Sequence, residues 1–86
     1  MEYLIITFKS RQETLKISKL LNSLGFSTTT ISTPKEAGVG CGLSIKTELS
    51  YFYAVKSVLI RIKTQSFVGF FKVIAVKGKS IVKSMY

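Results

Sequence analysis

A capped amphipathic helix, flanked on both sides by strand-forming segments, is the feature that most constrains the fold of this chain. Ser10 and Glu13 have the spacing of a capping box, in which the serine hydroxyl accepts from the backbone N–H at position 13 and the glutamate reaches back. The apolar residues that follow at helical spacing form one face: Ile17, Leu20, Leu21 and Leu24. Gly25 stands where a left-handed C-terminal cap is expected. The pattern predicts a helix over residues 11–24.

The segments on either side of this helix have the composition of strands. Residues 3–8 form a short apolar run that ends at a polar cluster, which is typical of a buried strand. Residues 26–32 are rich in threonine, whose β-branched side chain favours extended backbone. We therefore predict strands over both segments, with the helix connecting them.

The second half of the chain repeats this succession. Residues 42–47 alternate apolar and polar side chains as a short strand does, and residues 67–76 predict a longer strand. Between them, a second helix is predicted over residues 51–63, beginning from Thr47 or Ser50. Its apolar face is made of Tyr51, Val55, Val58, Leu59 and Ile62.

The order strand, helix, strand, strand, helix, strand predicts one α+β domain over residues 1–86 with the ferredoxin-like, split βαβ arrangement. Right-handed crossovers would place both helices on one face of the sheet. Residues 77–86 are predicted to be an edge strand or a tail.

The last predicted strand is apolar on both faces. Regular alternation places Phe67, Phe71 and Val73 on one face, and Val68, Phe70 and Ile74 on the other. Such a strand is either central in the sheet or partly covered by another chain, which favours a homodimer.

The loop between the two halves contains the residues of greatest chemical interest. Thr33 and Glu36 have the spacing of a second capping box. Gly38 and Gly40 interrupt the pattern that follows, so we predict a single helical turn or a tight loop. Cys41, which comes next, is the only cysteine of the chain.

Composition excludes most catalytic constellations. The chain has no histidine, and its four acidic residues are all glutamates, well apart in sequence. Ser-His-Asp and Cys-His pairs need a histidine, and the usual zinc sets need more ligands than one cysteine. We expect no metal and no cofactor, and a carrier or binding role is favoured over self-contained catalysis. Cys41 is the one side chain equipped for covalent chemistry.

A reactive thiol at Cys41 needs a group that stabilises negative charge on sulfur. One source is Lys35 or another nearby lysine. The other is the set of backbone N–H groups around Gly38, Gly40 and Gly42, which can take left-handed conformations. The alternative interpretation is a buried cysteine that packs as a small hydrophobe. A polar loop rich in glycine is a poor place for core packing, and it leaves room for a large partner to reach the sulfur.

Three elements of the sequence together resemble the selenium/sulfur carrier-like family of small bacterial proteins. They are the strand that ends in Thr7-Phe8, the capped helix after it, and the loop in which Pro34-Lys35 is followed by Cys41-Gly42. The resemblance extends from residue 3 to about residue 76. It implies that Cys41 is the carrier cysteine, framed by Pro34, Lys35 and Gly42, and that it holds a persulfide or selenopersulfide. The partners implied are sulfur or selenium donor and acceptor proteins.

The net charge of +9 suggests a second class of function. Thirteen basic and four acidic residues favour encounters with acidic partners. The lysines are scattered, however, and a solvated surface is the simpler interpretation. The alternative function is a non-catalytic binding or regulatory module for RNA or an acidic protein. Nucleic-acid binding is the weaker form, because the chain has no RNP1-type motif and the phenylalanines after Ser66 are expected in the core.

The expected setting is the cytoplasm. The apolar runs are far shorter than the about 20 residues that a membrane-spanning helix needs, so we expect no membrane association. Glu2 precedes the first apolar run without the positively charged leader of a secretory signal. A single cysteine cannot form an internal disulfide, and a free thiol persists in a reducing compartment.

Overall fold

The computed structural model describes residues 1–38 and 40–85, which fold into a sheet and two α-helices. The strands are β1 (Glu2–Phe8), β2 (Thr29–Ser32), β3 (Leu43–Thr47), β4 (Phe67–Val76) and β5 (Lys79–Met85). The helices are α1 (Arg11–Ser23) and α2 (Phe52–Ile62), and two short 3-10 turns cover Lys35–Ala37 and Leu49–Tyr51.

The strands form one sheet in the order β2-β3-β1-β4-β5, and all neighbours are antiparallel. The first four strands have the order expected of a ferredoxin-like arrangement, which confirms the predicted α+β class. β5 adds a fifth strand beside β4, so the C-terminal segment is an edge strand and not a tail; Tyr86 lies outside the described residues.

Both helices pack on the same face of the sheet. Alternate residues of β1 point to this face, and they are fully buried: Leu4, Ile6 and Phe8. They contact Ile17 and Leu21 of α1, and the same cluster contains Phe52, Val55 and Leu59 of α2. Burying a large apolar side chain contributes about 1.5–3 kcal/mol, so this cluster is the main source of stability.

The opposite face of the sheet is covered by the loop between β2 and β3. Ile5 of β1 and Val73 of β4 are fully buried there, in one cluster with Ala37 of the first 3-10 turn. Val82 of β5 packs against the same cluster. The second apolar face of β4 is therefore covered within the chain, and the expected homodimer stays a prediction.

A β-bulge reverses the predicted facing of Phe67. The register between β1 and β4 shifts after the pair Thr7–Gly69, so that Phe8 pairs with Phe67. The ring of Phe67 lies 5.1 Å from that of Phe70 and 5.8 Å from that of Phe8, between centroids. Phe67 therefore lies on the helix side of the sheet. The prediction that it shares a face with Phe71 is wrong, because the extra residue of the bulge inverts the alternation of side chains along β4.

Helix α1 begins and ends close to the predicted positions. The Ser10 hydroxyl accepts from the Glu13 N–H at 3.1 Å, as expected for the N-cap. At the other end, Gly25 has a φ of 99°, and the Phe26 N–H donates to Leu21 O at 3.0 Å, which is the bonding of a Schellman cap. Leu24 is not part of the apolar face, since 55% of it is exposed.

The remaining boundaries differ from the predictions by a few residues. β2 begins at Thr29 and not at residue 26, and α2 begins at Phe52 after a 3-10 turn. Thr47 does not cap α2, because its hydroxyl donates to Ser27 O at 2.9 Å. Phe52 is buried although the predicted apolar face omitted it, whereas Ile62, which that face included, is 38% exposed.

Candidate thiol site at Cys41

Cys41 lies where the loop between β2 and β3 returns to the end of the sheet. Its backbone N–H donates to the carbonyl oxygen of Phe8, the last residue of β1, at 3.0 Å. The residue is partly exposed and its thiol is free. The backbone of Cys41 is therefore held by the central strand of the sheet, while the residue remains partly exposed.

Gly40 is required for this close approach. It has a φ of 93°, which L side chains rarely adopt, and a Cβ atom added here would lie 2.8 Å from the Phe8 oxygen. On the other side of the cysteine, Gly42 has a φ of 88°, but an added Cβ would meet no atom within 4 Å. Gly38 also has a positive φ and ends the first 3-10 turn. All three glycines thus have the left-handed backbone that was expected of them.

Two groups lie within hydrogen-bond distance of the thiol, and its single proton can bond to one of them at a time. Its Sγ lies 3.6 Å from the carbonyl oxygen of Leu43, which can only accept. It also lies 3.8 Å from Oγ1 of Thr14, a fully buried residue in the first turns of α1. The Thr14 hydroxyl donates to Ser10 O at 2.9 Å, which leaves its oxygen free to accept from a protonated thiol. If the sulfur loses its proton, the same hydroxyl can turn and donate to it.

The start of α1 beside the thiol is anchored to the loop after α2. The Ser10 N–H donates to the Ser66 hydroxyl at 3.2 Å, and that hydroxyl donates in turn to the Glu13 carboxylate. The backbone N–H groups of Gln65 and Ser66 donate to the same carboxylate at 3.1 and 2.7 Å. Glu13 therefore does not reach back to Ser10, and the predicted capping box is only half formed.

These bonds lower the pKa of Glu13 from its ordinary value of 4.5. The largest cause is the hydrogen bond from the Ser66 hydroxyl, and the two backbone N–H groups and the charge of Lys16 act in the same direction. Partial burial opposes them by favouring the protonated form. The carboxylate is thus held charged at neutral pH, and it ties the α2–β4 loop to the helix end that contacts Cys41.

The other predicted site residues lie along the loop. Pro34 precedes the first 3-10 turn, and its carbonyl oxygen accepts from Ala37 N–H at 3.1 Å. Lys35 is exposed in that turn, whose Ala37 packs on the sheet face opposite the helices. Cys41 contacts Thr14 on the helix side, and no hydrogen bond among the described residues joins it to Lys35.

Thr33 does not cap the 3-10 turn as predicted. Its hydroxyl lies 2.6 Å from that of Ser44, a buried residue of β3, and its backbone N–H donates to Gly42 O at 2.9 Å. The loop is therefore closed on itself at its base. Because the Thr33 oxygen is engaged with β3, it is not positioned on the N–H groups of the turn.

Sequence reasoning missed Thr14. Its one signal is position, because Thr14 precedes Ile17 and Leu21 by three and seven residues and so lies on the buried face of α1. A hydroxyl there must find a partner inside the protein. The thiol is one of these partners because of where the loop between β2 and β3 lies. The periodicity of the helix carries no information about the position of that loop.

Neither a metal cluster nor a membrane span is found in the part of the chain that the structure describes. No three His, Cys, Asp or Glu side chains of residues 1–38 and 40–85 come together at metal-binding distances. Among the same residues, neither helix combines the length and the apolar composition needed to cross a bilayer.

Comparison with known proteins identifies the family. No curated protein and no solved structure matches the chain. One protein-family model does, over residues 3–67, and its description is "Putative Se/S carrier protein-like". The matched region runs from β1 to the first residue of β4 and includes the Cys41 loop, whereas most of the β4–β5 hairpin lies beyond it. The chain belongs to this Se/S carrier-like family.

Proposed function

We propose that the protein carries sulfur or selenium on Cys41, as a persulfide or selenopersulfide, from a donor protein to an acceptor protein. The observation that supports this most directly is that the residue with the sole thiol is partly exposed and is also held in one position by hydrogen bonds. Cys41 is partly exposed, yet its backbone is bonded to β1 and its sulfur to α1 and β3. A carrier needs a sulfur that a partner can reach and that returns to one position.

The proposed loading step is a transfer between thiols without net oxidation. The Cys41 sulfur attacks the terminal sulfur of a donor persulfide, and a new S–S bond forms as the donor's own S–S bond breaks. The electron pair of the broken bond stays on the donor cysteine, which takes up the proton that Cys41 lost. With selenium the terminal atom changes, and the balance is the same.

The sequence offers no internal route for discharging the carried atom. A resolving cysteine would displace it by forming a disulfide, but the chain has only one cysteine. The loaded atom must therefore leave to an external nucleophile on an acceptor. A reducing compartment such as the cytoplasm suits this role, because it keeps the thiol free between cycles.

The test is mass spectrometry of the intact protein after loading. The reduced protein is incubated with a cysteine desulfurase and cysteine, or with glutathione persulfide as a small-molecule donor. We expect one added sulfur atom per chain, which dithiothreitol removes. Cys41→Ser should show no adduct. Ser44→Ala is the control, because it changes the base of the loop but keeps the thiol, and it should load normally. An alkylatable Cys41 that gains no sulfur from either donor would contradict the proposal.

A further inference from the structure

A groove beside α2 lies at the same end of the sheet as Cys41. We call it the α2–β4 groove; its volume is about 410 Å³, and its lining includes Lys56, Leu59, Ile60, Lys63, Phe67 and Phe70. Its apolar surface is open to solvent, since Ile60 is 68% and Phe67 39% exposed. A helix packed on a sheet usually turns such residues inward, so this apolar exposure calls for an explanation.

The groove and the thiol share one structural support, Phe8 of β1. The Phe8 carbonyl oxygen accepts the Cys41 N–H at 3.0 Å, and the Phe8 ring contacts the ring of Phe67, which lines the groove. The Ser66 carbonyl, next to Phe67, accepts the Lys9 N–H at 2.7 Å. A protein bound in the α2–β4 groove would therefore be held beside the end of the sheet at which the partly exposed Cys41 lies.

The charged side chains that line the groove are positive. Lys56 and Lys63 both line it, and none of the described residues that line it is acidic. The Lys56 ammonium lies 5.7 Å from the centre of the Phe52 ring, so it is held against α2. The groove thus combines an apolar floor with cations and fits a segment that carries apolar and acidic side chains together.

Lys63 has a backbone conformation that favours glycine. It follows the last residue of α2 with a φ of 51°, and glycine is the residue most often found at this position of a helix. Among the described non-glycine residues, only Lys63 and Lys77 have a positive φ. A lysine at a position where glycine would be less strained points to a use of its side chain, and of these two lysines Lys63 is the one that lines the groove.

From these observations we propose that the α2–β4 groove binds an acidic, apolar segment of the protein that delivers sulfur to Cys41. This inference rests on the proposed carrier function. A protein segment is favoured over RNA because aliphatic Ile60 is exposed beside the groove, and the ring of Phe67 is packed against two other phenylalanine rings. Stacking platforms for bases need free aromatic faces.

The experiment compares loading of Cys41 by two donors. The first is glutathione persulfide, which is too small to need the groove, and the second is a persulfidated cysteine desulfurase. Initial rates are measured for the wild type, Lys63→Gly and Lys77→Gly. The last is a matched control, because it also removes a lysine from a left-handed position but lies in the β4–β5 turn, at the other end of β4 from Phe67.

We expect Lys63→Gly to slow loading by the desulfurase about threefold to tenfold, as loss of an interface charge does, and to leave loading by glutathione persulfide unchanged. Lys77→Gly should match the wild type with both donors. Raising the salt concentration should slow the wild type more than Lys63→Gly. Ile60→Glu, a change at an exposed position, should slow loading by the desulfurase as well.

Each alternative result has a definite meaning. If glutathione persulfide fails to load an alkylatable Cys41, the carrier function itself fails. Suppose instead that glutathione persulfide loads every variant, but that the desulfurase loads the wild type no faster than Lys63→Gly or does not load it at all. The carrier function then stands, and the groove is not the docking site. Lys63-dependent binding of tRNA, without an effect on loading by the desulfurase, would also overturn the docking proposal.

Discussion

At the scale of single residues, Gly40 determines where the thiol lies. Its backbone passes the end of β1 so closely that no side chain fits, and Cys41 is held to Phe8 as a result. Sequence reasoning predicted glycine freedom at this position but not the close approach, because the approach involves a strand more than 30 residues earlier in the chain.

Replacing Gly40 should therefore be more harmful than replacing Gly42. Gly40→Ala combines an unfavourable φ with a contact to the Phe8 oxygen, and we expect a loss of about 2–4 kcal/mol in the free energy of unfolding. Gly42→Ala adds only the unfavourable φ, so a loss of about 1–2 kcal/mol is expected. Urea denaturation measures both, and equal losses would contradict the role assigned to the close approach.

Thr14 should influence the reactivity of the thiol. Thr14→Val removes the hydroxyl 3.8 Å from Sγ, and we expect alkylation of Cys41 by iodoacetamide at fixed pH to slow about threefold to tenfold, since a hydrogen bond to the charged sulfur is lost. Thr14→Ser keeps the hydroxyl and should react at nearly the wild-type rate. If both variants react alike, the effect comes from packing and not from the hydrogen bond.

At the scale of elements, α1 illustrates which contacts a local pattern can predict. Its N-cap serine and its C-terminal glycine act within four or five residues, and both have the predicted geometry. The Glu13 side chain follows the same local motif but bonds instead to Gln65 and Ser66, on the loop after α2. Three donors on that loop compete for the carboxylate better than one N–H on its own helix.

Glu13 should make stability depend on pH. Its pKa is lower in the folded protein than its ordinary value of 4.5, so its contribution is fully present above about pH 5 and is lost as the pH falls through the folded pKa. Glu13→Gln should lower the free energy of unfolding by about 1–2 kcal/mol at pH 7 and weaken its decline in acid. Urea titrations between pH 3 and pH 7 measure this, with Glu36→Gln, an exposed residue of the 3-10 turn, as the control.

At the scale of the whole molecule, β5 and the loop between β2 and β3 together close the second face of the sheet. Val82 packs with Ile5, Ala37 and Val73, which belong to three other elements. The family match ends at residue 67, so this strand is a part of the chain that the family model does not cover. That residues 1–86 form one domain stays a prediction.

Neighbouring residues of β5 should differ in their effect on stability. Val82→Ala should cost about 1–2 kcal/mol, because its side chain is partly buried against this cluster. Ile81→Ala should cost less than about 0.5 kcal/mol, since Ile81 faces the other way and is 52% exposed. Thermal or urea unfolding compares the two, and a larger loss for Ile81 would show that the face of β5 on the helix side is covered in solution, as a homodimer would cover it.

The sequence by itself determined the order of strands and helices, the ends of α1 and the identity of Cys41 as the reactive candidate. These properties depend on periodicity and capping, which involve residues close together in the sequence, and on composition, which does not depend on where residues lie in the fold. Only the tertiary structure decided that Phe67 packs against Phe8 on the helix side, that Ala37 covers the opposite face, and that Thr14 contacts the thiol. The physical reason is that each of these contacts joins residues far apart in the chain, and their meeting depends on strand register, a bulge and the course of one loop.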